Sequence, residues 1–249
     1  MRPAGQDTRE RILDAAERLF AEHGYDGASL RDITAKAGVN LAAVNYHFRT
    51  KESLIQAVFA RRLAPLNQRR LALLDACEAS AAGRPLRLEE IVSALIHPVL
   101  RLGQENPEVS TALKKLMGRI FMDPGSHLHL VLREQFRDLV PRFVKAFRRA
   151  LPGLPQEELF WRMHFSIGAM ACTLTGTPFL EIISNGRYDA SDMDGGGDRL
   201  VTFICGGMRA PLQAGGERKD GKKAGRRHRS KTRDRKARRD RERDNETLS

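Results

Sequence analysis

Residues 29–48 constrain the fold more than any other part of the chain. They form two short segments, Leu30–Ala37 and Leu41–Phe48, joined by Gly38-Val39-Asn40. Ser29 followed three residues later by Asp32 is a helix-opening pair, in which each side chain reaches the other's backbone amide. Gly38 permits the positive φ that a tight turn needs, and Asn40 caps the segment that follows. Ile33 and Ala37 face inward from the first segment, Val39 and Val44 from the turn and the second. The small side chain of Ala37 lets the two helices approach.

The flanking sequence is helical in the same sense. Asp7 with Glu10 three residues on predicts an N-cap at Asp7, followed by an apolar stripe through Ile12, Ala16, Leu19 and Phe20. Gly24 and Gly27 bracket a break. Thr50 caps a long helix from Lys51 to about Cys77, with a kink expected at Pro65. Further helices are predicted over 88–102, 107–121, 126–150 and 200–209. Pro141 should kink or split the 126–150 helix, whose stripe runs through Leu132, Phe136, Leu139, Phe143 and Phe147. Residues 156–174 are apolar almost all round, which predicts a helix buried on more than one side. The Gly/Asp-rich stretch 181–198 reads as a loop. Nothing alternates with period two, so the expected fold class is all-α.

Bulk properties exclude several classes. No run of about 20 apolar residues exists, so no membrane span is expected, and no signal peptide is read at the N-terminus. Cys77, Cys172 and Cys205 are odd in number and far apart, which reads as buried free thiols in a reducing cytoplasm. The chain carries +12, of which residues 217–249 hold +8, so the body is only mildly basic. Residues 213–249 have almost no apolar side chains and are expected to form a disordered basic tail. No nucleophile elbow, phosphate-binding glycine loop or Cys-x-x-Cys pair is present. His127 and His129 would lie on different faces of a helix. No catalytic residue, metal or cofactor is therefore expected.

What residues 29–48 can do is read DNA. The second helix would present Asn40, Leu41, Ala42, Ala43 and Asn45 outward at its N-terminal end, the end that enters a major groove. Asparagine pairs bidentately with adenine, and small apolar groups contact the thymine methyl. Tyr46, His47 and Lys51 offer a hydroxyl, an imidazole and an ammonium to phosphates, with Lys51 opening a helix whose free amides attract anions. Ser29 and Arg31 complete the candidate surface. The same spacing also suits plain helix packing, with Tyr46-His47-Phe48 as core.

A resemblance separates these alternatives. Residues 8–55 resemble the N-terminal domain of TetR-family regulators through Arg11–Ala16, Leu19-Phe20-Ala21, Gly24-Tyr25, Ser29–Ile33, Ala37-Gly38-Val39, Tyr46-His47-Phe48 and Lys51-Glu52. It implies that the helix after the turn reads bases and that Tyr46, His47 and Lys51 touch phosphates of double-stranded operator DNA. It implies a cytoplasmic homodimeric repressor, with a DNA-binding domain at 7–50 and an effector-binding and dimerisation domain at 51–212. Residues 40–48 with 54–59, and Leu159–Phe165 with the small residues up to Gly176, resemble the PsrA-type branch, which implies a long-chain fatty acid or acyl-CoA effector. Met117, Phe121, Phe136, Trp161, His164 and Phe165 are the candidate ligand residues; filling a core is the other role for such side chains. Helix 159–174 could pack against its twin. Two further readings stay open: an unrelated hydrophobic effector, and sequence-indifferent nucleic-acid binding through the basic tail.

Overall fold

The computed structural model describes residues 4–105, 111, 113–115, 117–118, 128–175, 179–189 and 193–212. Every regular element among them is a helix. Most of the expected 107–121 helix, Phe121, and the tail at 213–249 lie outside the described residues. The chain divides between Ala210 and Pro211 into two units, and the helices below all belong to the first.

Helix α1 spans Ala4–Gly27 and starts ahead of the expected Asp7 cap, so Asp7 sits inside its first turn and complements the helix dipole. Gly24 leaves helical geometry at φ 77° and ψ 179°, which makes the expected break. Helices α2 (Leu30–Ala37) and α3 (Leu41–Phe48) follow, then α4 (Lys51–Ser80), which contains Pro65 and runs beyond the expected end at Cys77. Ile12, Phe20, Ile33, Val44, Leu54 and Phe59 are almost fully buried in one core shared by α1–α4. Full burial of each such side chain contributes roughly 1.5–3 kcal/mol.

Helix α5 is Leu88–Glu105. The expected 126–150 helix is split into α6 (Leu128–Gln135) and α7 (Leu139–Ala150) by a turn at 136–138. Pro141 is the third residue of α7, where its missing N–H takes no intrahelical bond away. The break therefore falls ahead of the proline. Leu139, Phe143 and Phe147 of the predicted stripe are buried with Leu74, Ile91, Leu159, Ile204 and Met208 in a second core.

Helix α8 (Gln156–Thr175) corrects one expectation. It buries Leu159 and Arg162 but leaves Trp161 at 51% and Phe165 at 64% exposure, so it is buried on one side only within the protomer. Cys172 is exposed and Cys77 half-buried; only Cys205 matches the buried thiol expected of all three. The stretch 181–198 is not simply a loop. A short α9 covers Phe179–Ile183, and α10 (Met193–Arg209) begins ahead of the glycine run and takes all three glycines into the helix. Packing outweighs the low helix propensity of glycine here: a Cβ on Gly197 would lie 2.7 Å from Leu100 Cδ1, so the bare backbone lets α10 close on α5. Arg209 at the end of α10 donates to Glu89 at 2.6 Å, and this bond draws the Glu89 carboxyl down to about 2. Arg162 donates to the carbonyls of Met208 and Ala210 at 2.8 and 2.7 Å, satisfying carbonyls at the same helix end.

Candidate nucleic-acid interface and an internal cavity

The α2–α3 turn is built by three caps and one long-range brace. The Ser29 hydroxyl accepts from the Asp32 amide at 3.1 Å while the Asp32 carboxylate accepts from the Ser29 amide, the reciprocal box the spacing predicts. The hydroxyl also donates to that carboxylate, and these bonds hold the Asp32 carboxyl below its ordinary range. Asn40 Oδ1 accepts from Ala43 N–H at 2.9 Å, and Thr50 Oγ1 from Ser53 N–H at 3.1 Å. Gly38 closes α2 in the left-handed region at φ 63°, ψ 40°. The brace has no sequence signature: Arg11 reaches across from α1 and donates Nη2 to the carbonyls of Ala37 and Gly38 at 2.7 and 2.9 Å.

Gly38 is thereby constrained twice. An alanine there must hold a left-handed backbone, at about 1–2 kcal/mol, and its Cβ would come within 2.8 Å of Arg11 Nη2. Gly38→Ala is expected to displace the Arg11 tip and lower unfolding free energy by about 1–2 kcal/mol in urea titration. An unchanged midpoint would show that the turn relaxes freely.

These constraints leave α3 standing out from the surface. Asn40, Leu41, Ala42, Asn45 and Tyr46 are exposed, Tyr46 at 83%. Ala43, expected to face outward, is half-buried against the core of α1–α4. Asn40 has its carbonyl oxygen engaged as the cap, whereas no hydrogen bond of the Asn45 amide occurs among the described residues. Val44 and Phe48 are the buried residues of α3, so Phe48 alone of Tyr46-His47-Phe48 is core. His47 is half-buried, 5.0 Å edge-on from the Tyr46 ring.

Ser29 and Arg31 are exposed at the start of α2, and Lys51 opens α4 half-buried. The Lys51 ammonium lies 4.5 Å over the Tyr25 ring, a cation–π contact that positions it beside the free amides of α4. Tyr25 in turn donates its hydroxyl to Glu52 at 2.7 Å. Burial and that carboxylate push the phenol above its ordinary range. The break at Gly24 thus places Tyr25 as the strut that seats Lys51, a role visible only in three dimensions.

The other half holds a cavity of about 420 Å³, within the roughly 300–1,000 Å³ range of small-molecule sites. Met117, Phe136 and His164 lie on its wall, with Leu66, Val99 and Phe143 among the apolar residues that dominate it. Trp161 and Phe165 do not reach it; they stack on each other on the outer face of α8, ring centroids 5.8 Å apart. Residues that sequence reasoning missed include Arg70, on α4 at the wall.

Residues 12–58 match the family model for bacterial regulatory proteins of the TetR family, and residues 93–207 match that of the tetracyclin repressor-like C-terminal domain. The HTH-type transcriptional regulator UidR of Escherichia coli (strain K12) is 31% identical over 123 residues, 46% of this chain and 61% of UidR. The chain thus spans about three-fifths of the length of that relative. Among solved structures, FadR from Bacillus subtilis in complex with stearoyl-CoA shares the fold at TM-score 0.50 and 16% identity, covering 80% of this chain and 98% of that one. The SmeT–triclosan complex does so at TM-score 0.55 and 24% identity, over 83% and 99%. One family model takes in α2 and α3, the other takes in part of the cavity wall, and the chain belongs to the TetR family of bacterial regulatory proteins.

Proposed function

We propose that this chain is a DNA-binding transcriptional repressor, released from its operator by a small hydrophobic effector. The observation that carries the reading is α3: a capped, braced helix with Asn45 and Tyr46 free at its surface and Lys51 seated beside it. Residues 7–50 serve as the reading domain and 51–212 as the effector and dimerisation domain. The twin protomer covers the outer faces of α8 and α10, where Trp161, Phe165 and Phe203 leave large apolar surfaces exposed. Twofold symmetry then sets two copies of α3 about 34–36 Å apart, one turn of DNA. An effector that fits the cavity better at another spacing weakens DNA binding, and DNA weakens the effector by the same factor, typically about 5–150-fold.

A long-chain fatty acid or acyl-CoA is the effector class we favour. The mostly apolar wall suits an acyl chain, and the similar fold of FadR holds stearoyl-CoA. Triclosan in SmeT is the instance of a different hydrophobic compound on this fold. Selection of bound sequences from a random DNA pool, with and without oleate and oleoyl-CoA, tests the reading. The expected product is a palindrome with half-sites about 10–10.5 base pairs apart, depleted when effector is present. Binding without sequence preference that disappears on truncation after Gly215 would overturn it in favour of the basic tail.

A further inference from the structure

Two arginines are almost fully buried among the described residues, Arg70 and Arg162. Arg162 is compensated: it pairs with Glu158 at 2.9 Å besides its two carbonyls. Arg70, 4% exposed, is not. Its Nε donates to the Leu95 carbonyl at 2.8 Å and its Nη1 to Asn67 Oδ1 at 3.2 Å, both neutral acceptors. No hydrogen bond of Nη2 and no ion pair of this guanidinium occurs among the described residues. Burial without a counter-charge lowers its pKa to about 10. Desolvating a guanidinium is offset only by good pairing, and this one sits on the wall of the cavity. Lys114, the other charged residue on that wall, is half-buried and so keeps access to water.

We propose that Arg70 receives the carboxylate of an apolar acid whose chain fills the cavity, a refinement that rests on the cavity being the effector site. The planar fork of Arg70 matches a carboxylate bidentately. A coenzyme A thioester offers only a neutral carbonyl at the same end of the chain, so the site selects the free acid. The same contact carries a signal. Asn67 holds Arg70 through its carbonyl and donates Nδ2 to the Gln135 carbonyl, the last residue of α6, at 2.8 Å. A carboxylate competing for Nη1 frees Asn67, and the α4–α6 tie loosens on the helix that begins with Lys51.

Displacement of N-phenyl-1-naphthylamine, a neutral fluorescent probe, from the full chain tests this. The competitors are palmitoleate, its methyl ester and palmitoleoyl-CoA. Wild type is expected to bind the acid at least tenfold more tightly than either derivative. In Arg70→Met that gap should fall to within twofold, with each competitor's affinity referred to the variant's own probe affinity, and Arg70→Lys should lie between. Equal competition by acid and ester on wild type overturns the proposal, as does a gap that persists in Arg70→Met. Should Arg70→Met fail to fold by circular dichroism, the wild-type ratio and Arg70→Lys decide. Binding of the probe with no acid preference sinks the Arg70 assignment alone. Absence of binding by the probe and all three competitors sinks the cavity as an effector site, and the assignment with it.

Discussion

Asn45→Ala is expected to weaken binding to the selected operator by at least about 30-fold and to leave non-specific binding almost untouched. A bidentate asparagine–adenine pair discriminates by roughly 1–3 kcal/mol. The proposed symmetric dimer would use it twice, so the lower bound is about 2 kcal/mol, or 30-fold. Asn45 is the position to choose because it is exposed on α3, while Asn40 already gives its carbonyl oxygen to the Ala43 amide. Lys51→Ala serves as the contrast. Loss of a phosphate contact weakens all sequences alike and makes the slope of log K against log salt shallower by about 0.9 per protomer. Fluorescence anisotropy on operator and scrambled duplexes over a salt series separates the two signatures. Equal loss on both duplexes with Asn45→Ala would make Asn45 a positioning residue and move base reading elsewhere on α3.

Local chemistry was the legible part of this fold. The caps at Ser29, Asn40 and Thr50 each bond the backbone amide three residues on, and sequence spacing reports such bonds directly. The left-handed turn at Gly38 was readable for the same reason. Contacts between distant segments left no such trace. Arg11 sits 26 and 27 residues from the carbonyls it braces, and nothing in its neighbourhood marks it among many surface arginines. The break ahead of α7 falls at 136–138, because a proline in the first turn of a helix is harmless and leaves the position of the break to packing.

Composition misled where tertiary contact decides. The glycines at 195–197 look like a loop until α5 is brought against Gly197. In α8 the difficulty was of another kind: a helix apolar on every side gives no periodic signal to say which face meets the protomer's own core. Trp161 and Phe165 therefore read as ligand residues in the sequence, although they lie away from the cavity that Met117, Phe136 and His164 line. The burial of Arg70 leaves no trace in the sequence, because a charged residue in a long helix is ordinarily solvated and burial is a property of the assembled fold.

Glu17→Ala is expected to lower unfolding free energy by about 3 kcal/mol and to blunt the effector's hold over DNA binding. Glu17 is 3% exposed on α1 and receives Arg61 and Arg62 from α4, Arg62 through Nε and Nη2 at 2.7 and 2.8 Å. Removing one member of a buried ionic cluster strands the others, which costs roughly 3–5 kcal/mol. The lower end applies because Arg61 keeps Asp14 at 2.7 Å and Glu10 at 3.3 Å, and both guanidiniums retain some solvent. Against a total of about 5–15 kcal/mol for a domain, that is a large fraction. Urea unfolding at fixed protein concentration measures it, since the apparent stability of the proposed dimer would follow concentration. The cluster joins the helix that braces the reading turn to the helix that carries Arg70, so it is also a rigid link between interface and cavity. With the link weakened, operator affinity without effector should change little, while the ratio of affinities with and without effector should shrink. Substituting Glu17 and Arg62 together by leucine removes the stranded charge and should recover part of the stability but none of the coupling. If the ratio survives Glu17→Ala intact, the signal from the cavity reaches the DNA by another route than the α1–α4 contact.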